Sequence, residues 1–216
     1  EFVDNTFVWD RKWLTEFCDK VKKENLNIKW GCTGKIELMD ESIMEKMTES
    51  GCEFVLYGIE TGSNSMLRKI KKGFKKEQGQ DILRKSLPYF TVMPSYIWGW
   101  PFESFSEFTE TIEQYEESVK IGCWSILLIL CPLPMSTIYK EYKHTLKFDG
   151  SLVTDKLKSP ETKKMLDMIK AHPDIIQGFY YYDHEGFQEK YQYVIEKGHM
   201  KLNTPSAFLN GLEIFN

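Results

Sequence analysis

The 216-residue chain has no long apolar run. Its longest, Ile126 to Leu130, falls far short of the about 20 residues that a bilayer-spanning helix needs, so no membrane span is expected. Nor is there a basic excess. With 28 Lys and Arg against 32 Asp and Glu, the net charge is −4, which provides no footprint for nucleic acid. Clustered cysteines are also missing. Cys18, Cys32, Cys52, Cys123 and Cys131 are odd in number and widely spaced. No pair has the roughly two-to-four-residue gap of a zinc site, and the set does not form a secreted disulfide framework. The first residues carry no signal-peptide pattern, and a cytoplasmic location is expected. There is no G-x-S-x-G, no P-loop and no G-x-G-x-x-G after a strand, so an ordinary hydrolase or dehydrogenase finds little support.

What is present is a soluble, foldable composition: 42% apolar and 28% charged residues, enough for one domain with its own core and a small extension. Along the chain a short apolar run, a small or polar loop and an amphipathic helix recur. A first strand at Phe2-Val3 precedes a helix from about Arg11 to Lys23. Asp10 is its N-cap and Trp13, Leu14, Phe17 and Val21 form its apolar face. A second strand, Ile28-Lys29-Trp30, leads to a helix after Asp40 that carries Ile43, Met44 and Met47 and stops at Gly51. The third strand, Phe54 to Tyr57, is followed by a helix from Asn64 to Lys72 that ends at Gly73. Another helix, around Gln78 to Leu87, stops at Pro88.

The fourth strand lies within Phe90 to Trp98. The helix after it runs from about Ser106 to Lys120, with Phe108, Ile112, Tyr115 and Val119 inward. The fifth strand, Trp124 to Leu130, reads as buried on both faces. Five such units in a row predict a parallel sheet wrapped by helices, either a partial barrel or an open doubly wound sheet. The rhythm stops after Phe148. Residues 149–216 read as an appended region with a helix near Glu161 to Ala171, an aromatic patch from Phe179 to Tyr182 and a helix near Gln188 to Lys197. The patch either packs this tail or lines a substrate pocket. His184, within Asp183-His184-Glu185, reads as a surface turn.

Each strand is expected to end in a polar or glycine-rich loop, and in βα proteins such loops gather at one sheet edge. These loops are Asp4-Asn5-Thr6, Gly31 to Lys35, Glu60-Thr61-Gly62-Ser63, Gly99 to Ser104, and Cys131 to Ser136. Glycine admits a close ligand, carboxylates and hydroxyls bind a ribose or an ammonium group, and helix starts at Ser63 and Ser104 can receive a carboxylate. Each has a plainer role as turn, cap or helix stop. Cys32 and Cys131, at strand ends, read as small buried hydrophobes.

The order of the loops resembles radical S-adenosylmethionine (radical SAM) enzymes, most of all those with an N-terminal cobalamin-binding domain. Phe2-Val3-Asp4-Asn5-Thr6-Phe7 resembles their F-x-D-D-x-F, and Trp30-Gly31-Cys32 with Lys35 resembles W-x-C-x-x-R. Gly51-Cys52 followed by Gly58-Ile59-Glu60-Thr61-Gly62-Ser63 is similar to G-C-x-x-x-x-x-G-I-E-[ST]-G-S. Ser95 to Ser104 is similar to G-F-I-x-G-x-P-x-E-T, and Pro132 to Ser136 to P-x-P-G-T. The resemblance covers about residues 1–142. Asn5, Lys35, Ser95 and Met135 depart from these patterns.

The resemblance implies an α/β fold: a partial (β/α) barrel of the radical SAM type, incomplete at its N-terminal side, over residues 1–148, then a mostly helical C-terminal extension over 149–216. In that family S-adenosylmethionine chelates a [4Fe–4S] cluster and is cleaved to a 5′-deoxyadenosyl radical that abstracts hydrogen from substrate. By the same resemblance Asp4, Asn5 and Thr6 would face the methionine amino end. Glu60, Thr61 and Ser63 would face the ribose and carboxylate, while Ile97, Gly99 and Pro101 would line the adenine, with Leu133 beyond it.

The cluster motif C-x-x-x-C-x-x-C is absent. Its expected place is before Glu1, in a missing N-terminal part of the same protein. This chain is therefore expected to be an inactive fragment of an enzyme that acts on a small-molecule or peptide substrate, with cobalamin as a further cofactor. The alternative is a non-catalytic, degenerate barrel that binds a nucleotide-like ligand or a partner protein.

Overall fold

The computed structural model describes residues 1–2, 6–149 and 162–199. The chain divides into two compact units, one of residues 1–96 and 109–126, the other of residues 97–108 and 127–216. In chain order the elements are α1 (Arg11–Lys23), β1 (Trp30–Gly34), a 3-10 turn (Ile36–Leu38), α2 (Glu41–Glu49), β2 (Cys52–Glu60), α3 (Asn64–Lys69), α4 (Lys76–Ser86) and β3 (Thr91–Trp98). Then follow α5 (Phe105–Lys120), β4 (Ile126–Ile129), α6 (Thr137–Tyr142), β5 (Leu146–Phe148), α7 (Lys163–Ala171), β6 (Tyr180–Tyr182) and α8 (Phe187–Glu196).

In the first unit the helix starts are where the local chemistry puts them. The Asp10 carboxylate accepts from Trp13 N at 2.7 Å and that of Asp40 from Ile43 N at 3.0 Å, so each satisfies a backbone donor that a first helical turn leaves free. Arg11 also ion-pairs with Asp40, tying the start of α1 to the start of α2. α2 ends at Gly51, whose φ is +95°. A Cβ there would come 2.0 Å from the Ile28 carbonyl oxygen, so only glycine fits the stop.

The main sheet has the order β1-β2-β3-β4, and β1–β2 and β2–β3 pair in parallel. β2 alternates. Val55, Tyr57 and Ile59 are fully buried, with the Tyr57 hydroxyl 3.0 Å from Ser86 Oγ on α4. Phe54, Leu56, Gly58 and Glu60 are half-buried on the other face. A period of two along a strand places these two sets on opposite sides of the sheet.

Several sequence expectations move. Gly31 to Gly34 form β1 itself and not the loop after it. A Cβ on Gly31 would lie 2.9 Å from the Phe54 ring, and one on Gly34 2.8 Å from the Tyr57 ring and from Val55. Glycine here makes room for bulky neighbours on β2 and does not break the strand. β2 likewise runs on through Gly58-Ile59-Glu60. α3 stops at Lys69, before Gly73, because the chain enters the left-handed region at Lys71 (φ +59°). β4 alternates between half-buried and buried residues and is not closed on both faces. Val119, expected inward, is 46% exposed. Among the described residues no strand is assigned at Phe2, although its N–H donates to the Gly31 carbonyl at 3.0 Å. Val3 lies outside the described residues.

In the second unit β5 pairs antiparallel with β6, Leu146 opposite Tyr182 and Phe148 opposite Tyr180. This two-stranded sheet adds to the helices expected there. The patch from Phe179 to Tyr182 is wholly buried. Phe179 and Tyr180 pack with Ile169, and Tyr181 stacks on Phe187 with ring centroids 4.3 Å apart.

Candidate functional site

In the first unit a cleft of about 510 Å³ opens over the half-buried face of β2. Thr33 and Lys35 line it beside β1, Gly58 and Glu60 from β2, Ser95 from β3 and Lys72 from the segment after α3. Lys72 aside, these residues lie toward the C-terminal ends of parallel strands, where α/β sheets bind ligands.

Glu60 is the last residue of β2, and its φ of +69° lies in the left-handed region. An L-residue there carries strain of about 1–2 kcal/mol. The register with β3 slips between Gly58 and Glu60 in a bulge, so Gly58 is opposite Ser95 and Glu60 opposite Tyr96. Bulges re-aim side chains. Here the Glu60 carboxylate accepts from Lys72 Nζ at 3.1 Å, and the same ammonium donates to the Gly58 carbonyl at 2.8 Å. The pair is only partly exposed, with 20% of the Glu60 side chain accessible. A Cβ on Gly58 would lie 2.5 Å from Glu60 Oε1, so a side chain there would push the carboxylate from its present place.

The turn that follows is locked from one side. Thr61 Oγ1 is 2.9 Å from Thr111 Oγ1 on α5 and accepts from Ser63 N at 3.1 Å, while Gly62 N donates to Thr111 Oγ1 at 3.2 Å. Gly62 presses on α5 so closely that a Cβ would sit 2.2 Å from the Glu110 carbonyl oxygen. Thr61 and Ser63 are both buried. Of the predicted ribose-side residues, the structure therefore brings Glu60 to the cleft and places Thr61 and Ser63 in the packing behind it. Thr6 lines the same cleft. Asp4 and Asn5 lie outside the described residues.

The predicted adenine-side residues belong to the second unit. Ile97 and Pro101 are half-buried, Gly99 is buried with φ +83°, and Leu133 is 54% exposed. The Gly99 N–H donates to Glu103 Oε2 at 3.1 Å. The start of α5 is already occupied. Glu107 Oε2 accepts from Ser104 N at 2.9 Å, and Ser104 Oγ accepts from Glu107 N at 3.2 Å. This reciprocal capping box fills the place where a ligand carboxylate was expected. His184 is half-buried rather than on an open turn, and burial lowers its pKa.

Lys72, Thr111 and Lys190 are not among the expected site residues, and Glu103 is expected only as part of the Gly99–Ser104 loop. Glu103 had a signal, since it stands at the glutamate of the G-x-P-x-E-T pattern. The other three act across long separations and carry no local mark.

The cysteines do not converge on a metal. All five are free, four of them buried, and no group of three or more His, Cys, Asp or Glu side chains among the described residues could hold a metal ion. Burial, with Cys32 beside it, pushes the Cys52 thiol well above its ordinary pKa, the opposite of what a thiolate ligand needs. The residues present therefore do not fit a [4Fe–4S] cluster. No helix among the described residues is long and apolar enough to cross a membrane.

No family model matches the chain. An uncharacterized methyltransferase of Pyrococcus horikoshii is 31% identical over 114 residues, which are 52% of this chain and 25% of that protein. The chain thus spans about a quarter of the length of this curated relative. Among solved structures, the radical SAM methyltransferase TsrM of Kitasatospora setae, with tryptophan substrate and a SAM analogue bound, matches 90% of this chain and 40% of its own. The TM-score is 0.58 and the identity 13%. The cobalamin-dependent radical SAM enzyme OxsB matches 85% of this chain and 31% of its own, with a TM-score of 0.54 and 13% identity. The fold is that of the radical SAM partial barrel, in agreement with the sequence resemblance.

Proposed function

We propose that this chain supplies one wall of the S-adenosylmethionine site of a radical SAM enzyme, whose whole activity is methyl transfer or related C–H chemistry. The observation that carries this reading is the partly exposed Glu60 carboxylate. It is turned into a 510 Å³ cleft by a bulge and a left-handed residue, and anchored by Lys72. A carboxylate held at such a strand end is a ready acceptor for the two hydroxyls of a ribose. Thr6, Thr33 and Ser95 add neutral polar groups along the same cleft. Gly58 keeps the floor low enough for a close approach.

S-adenosylmethionine, when bound, supplies an activated methyl or adenosyl group. This chain's own residues bind and orient it: Glu60 takes the ribose hydroxyls, and Lys72 holds Glu60 in place and offsets its charge. The roles of Ile97, Gly99, Pro101 and Leu133 at the adenine, and of Asp4 and Asn5 at the amino group, rest on the family resemblance. So does cobalamin. The cluster ligands would come from outside this chain. By analogy with TsrM, whose structure holds tryptophan, the substrate is a small molecule or a peptide.

S-adenosylhomocysteine, which needs no cluster in order to bind, tests the site by calorimetry. Glu60→Gln should weaken its binding about tenfold, the effect of losing one charge-assisted hydrogen bond. No binding by the unaltered chain, or equal binding by the variant, would overturn the assignment.

The cysteine arrangement favours a second reading of the chain taken alone, as a nucleoside-binding barrel wall with no redox centre of its own. Anaerobic iron–sulfur reconstitution followed by Mössbauer spectroscopy decides this. A stoichiometric cluster on these 216 residues would sink that reading.

A further inference from the structure

In the second unit Lys190 of α8 is 1% exposed, a rare position for an ammonium group. Its Nζ donates to the Glu103 backbone carbonyl at 2.5 Å and to Glu103 Oε2 at 3.4 Å, and it lies 3.2 Å from His184 Nε2. His184 Nδ1 is 2.9 Å from the Tyr182 carbonyl. A neutral ring protonated on Nδ1 satisfies both contacts, accepting from Lys190 at Nε2. Glu103 O, Glu103 Oε2 and His184 Nε2 are thus all acceptors for the ammonium group.

An ammonium with a carboxylate is an expensive way to fill a core, because an apolar side chain of similar size packs at no desolvation cost. What the pair adds is direction. Glu103 is held by Lys190 at both its carbonyl and its carboxylate, and the same Oε2 accepts from the Gly99 N–H. Gly99 has φ +83° and its backbone is buried, with a Cβ position 3.3 Å from Ile129. Glu103 Oε1 is buried and has no hydrogen-bond partner among the described residues, so the carboxylate is held through one oxygen alone. A polar chain therefore runs from α8 through Glu103 to Gly99, its Lys190–Glu103 step joining residues 87 apart in sequence.

We infer that Lys190 is a positioning residue for the Gly99–Glu103 turn, acting through the Glu103 carboxylate. The C-terminal segment then does more than pack: it sets the shape of the turn after β3. This goes beyond the proposed S-adenosylmethionine wall, and only the bearing of the turn on adenine rests on that reading.

Hydrogen exchange at the Gly99 amide, followed by NMR on the 216-residue chain, tests the inference. In Lys190→Met, exchange at Gly99 should quicken about tenfold or more relative to the Ile169 amide of α7, which lies in the same unit and reports its opening as a whole. If that variant does not fold, the paired Glu103→Gln/Lys190→Met variant leaves no lone buried charge and should show the same selective quickening. Exchange at Gly99 that is unchanged, or that rises only in step with Ile169 of α7, would overturn the inference. S-adenosylhomocysteine binding does not enter this readout, so its failure and the failure of the proposed site are separately visible.

Discussion

The Lys72 ammonium lies 3.1 Å from the Glu60 carboxylate while also donating to the Gly58 carbonyl two residues before it. One cation therefore fixes both the backbone and the side chain of the strand end. The pair is partly open to water, so it contributes about 1 kcal/mol or less to stability. Lys72→Met should leave the denaturant midpoint nearly unchanged and weaken S-adenosylhomocysteine binding several-fold, on the order of one charge-assisted contact. A large stability loss with unchanged binding would show that the pair serves the fold instead.

Gly58→Ala tests the same geometry from the backbone. The added methyl would meet Glu60 Oε1 at 2.5 Å and Lys72 Nζ at 3.4 Å, both at the ends of flexible side chains. The side chains should swing away and the strand should hold. Binding should fall about tenfold, and thermal unfolding should shift little. Calorimetry and a melting curve on one sample read both effects.

Thr61→Val keeps the shape of a buried side chain and removes its hydroxyl. Ser63 N loses its acceptor, and the link to Thr111 on α5 is broken. A buried donor left without a partner costs about 1–3 kcal/mol. Urea unfolding should show a loss of that size. A variant as stable as the parent would mean that the turn is held by packing alone.

Stability should also depend on pH through Glu103. Burial raises its carboxyl pKa to about 7 from an ordinary 4.5, against the opposing pull of Lys190 and the Gly99 N–H. Between those two values the folded chain keeps a proton that the unfolded chain has lost. The folded state is therefore favoured at the low end of this window, and that contribution is lost as pH rises through about 7. The full swing is on the order of 3 kcal/mol. Denaturant midpoints at pH 5 and pH 8.5 should differ less in Glu103→Gln than in the parent; equal differences would remove Glu103 as the cause.

The sequence by itself determined the helices that carry their own start and stop signals. Asp10 caps α1 as read, Gly51 ends α2, and the apolar faces of α2 and most of α5 are buried; on α1 Leu14 and Val21 are buried, while Trp13, read on the same face, is 41% exposed. It also determined that the sheet is parallel, and that Glu60 stands where a strand gives way to a helix. These are local properties, set by residues a few positions apart, so a linear reading reaches them. Only the tertiary structure decided what the glycines and hydroxyls are for. Gly31 and Gly34 lie inside a strand because Phe54 and Tyr57 fill the space beside them. Thr61 faces Thr111 across 50 residues, and Lys190 reaches Glu103 across 87. The sheet register and the helix packing bring such partners together, and no spacing along the chain encodes them.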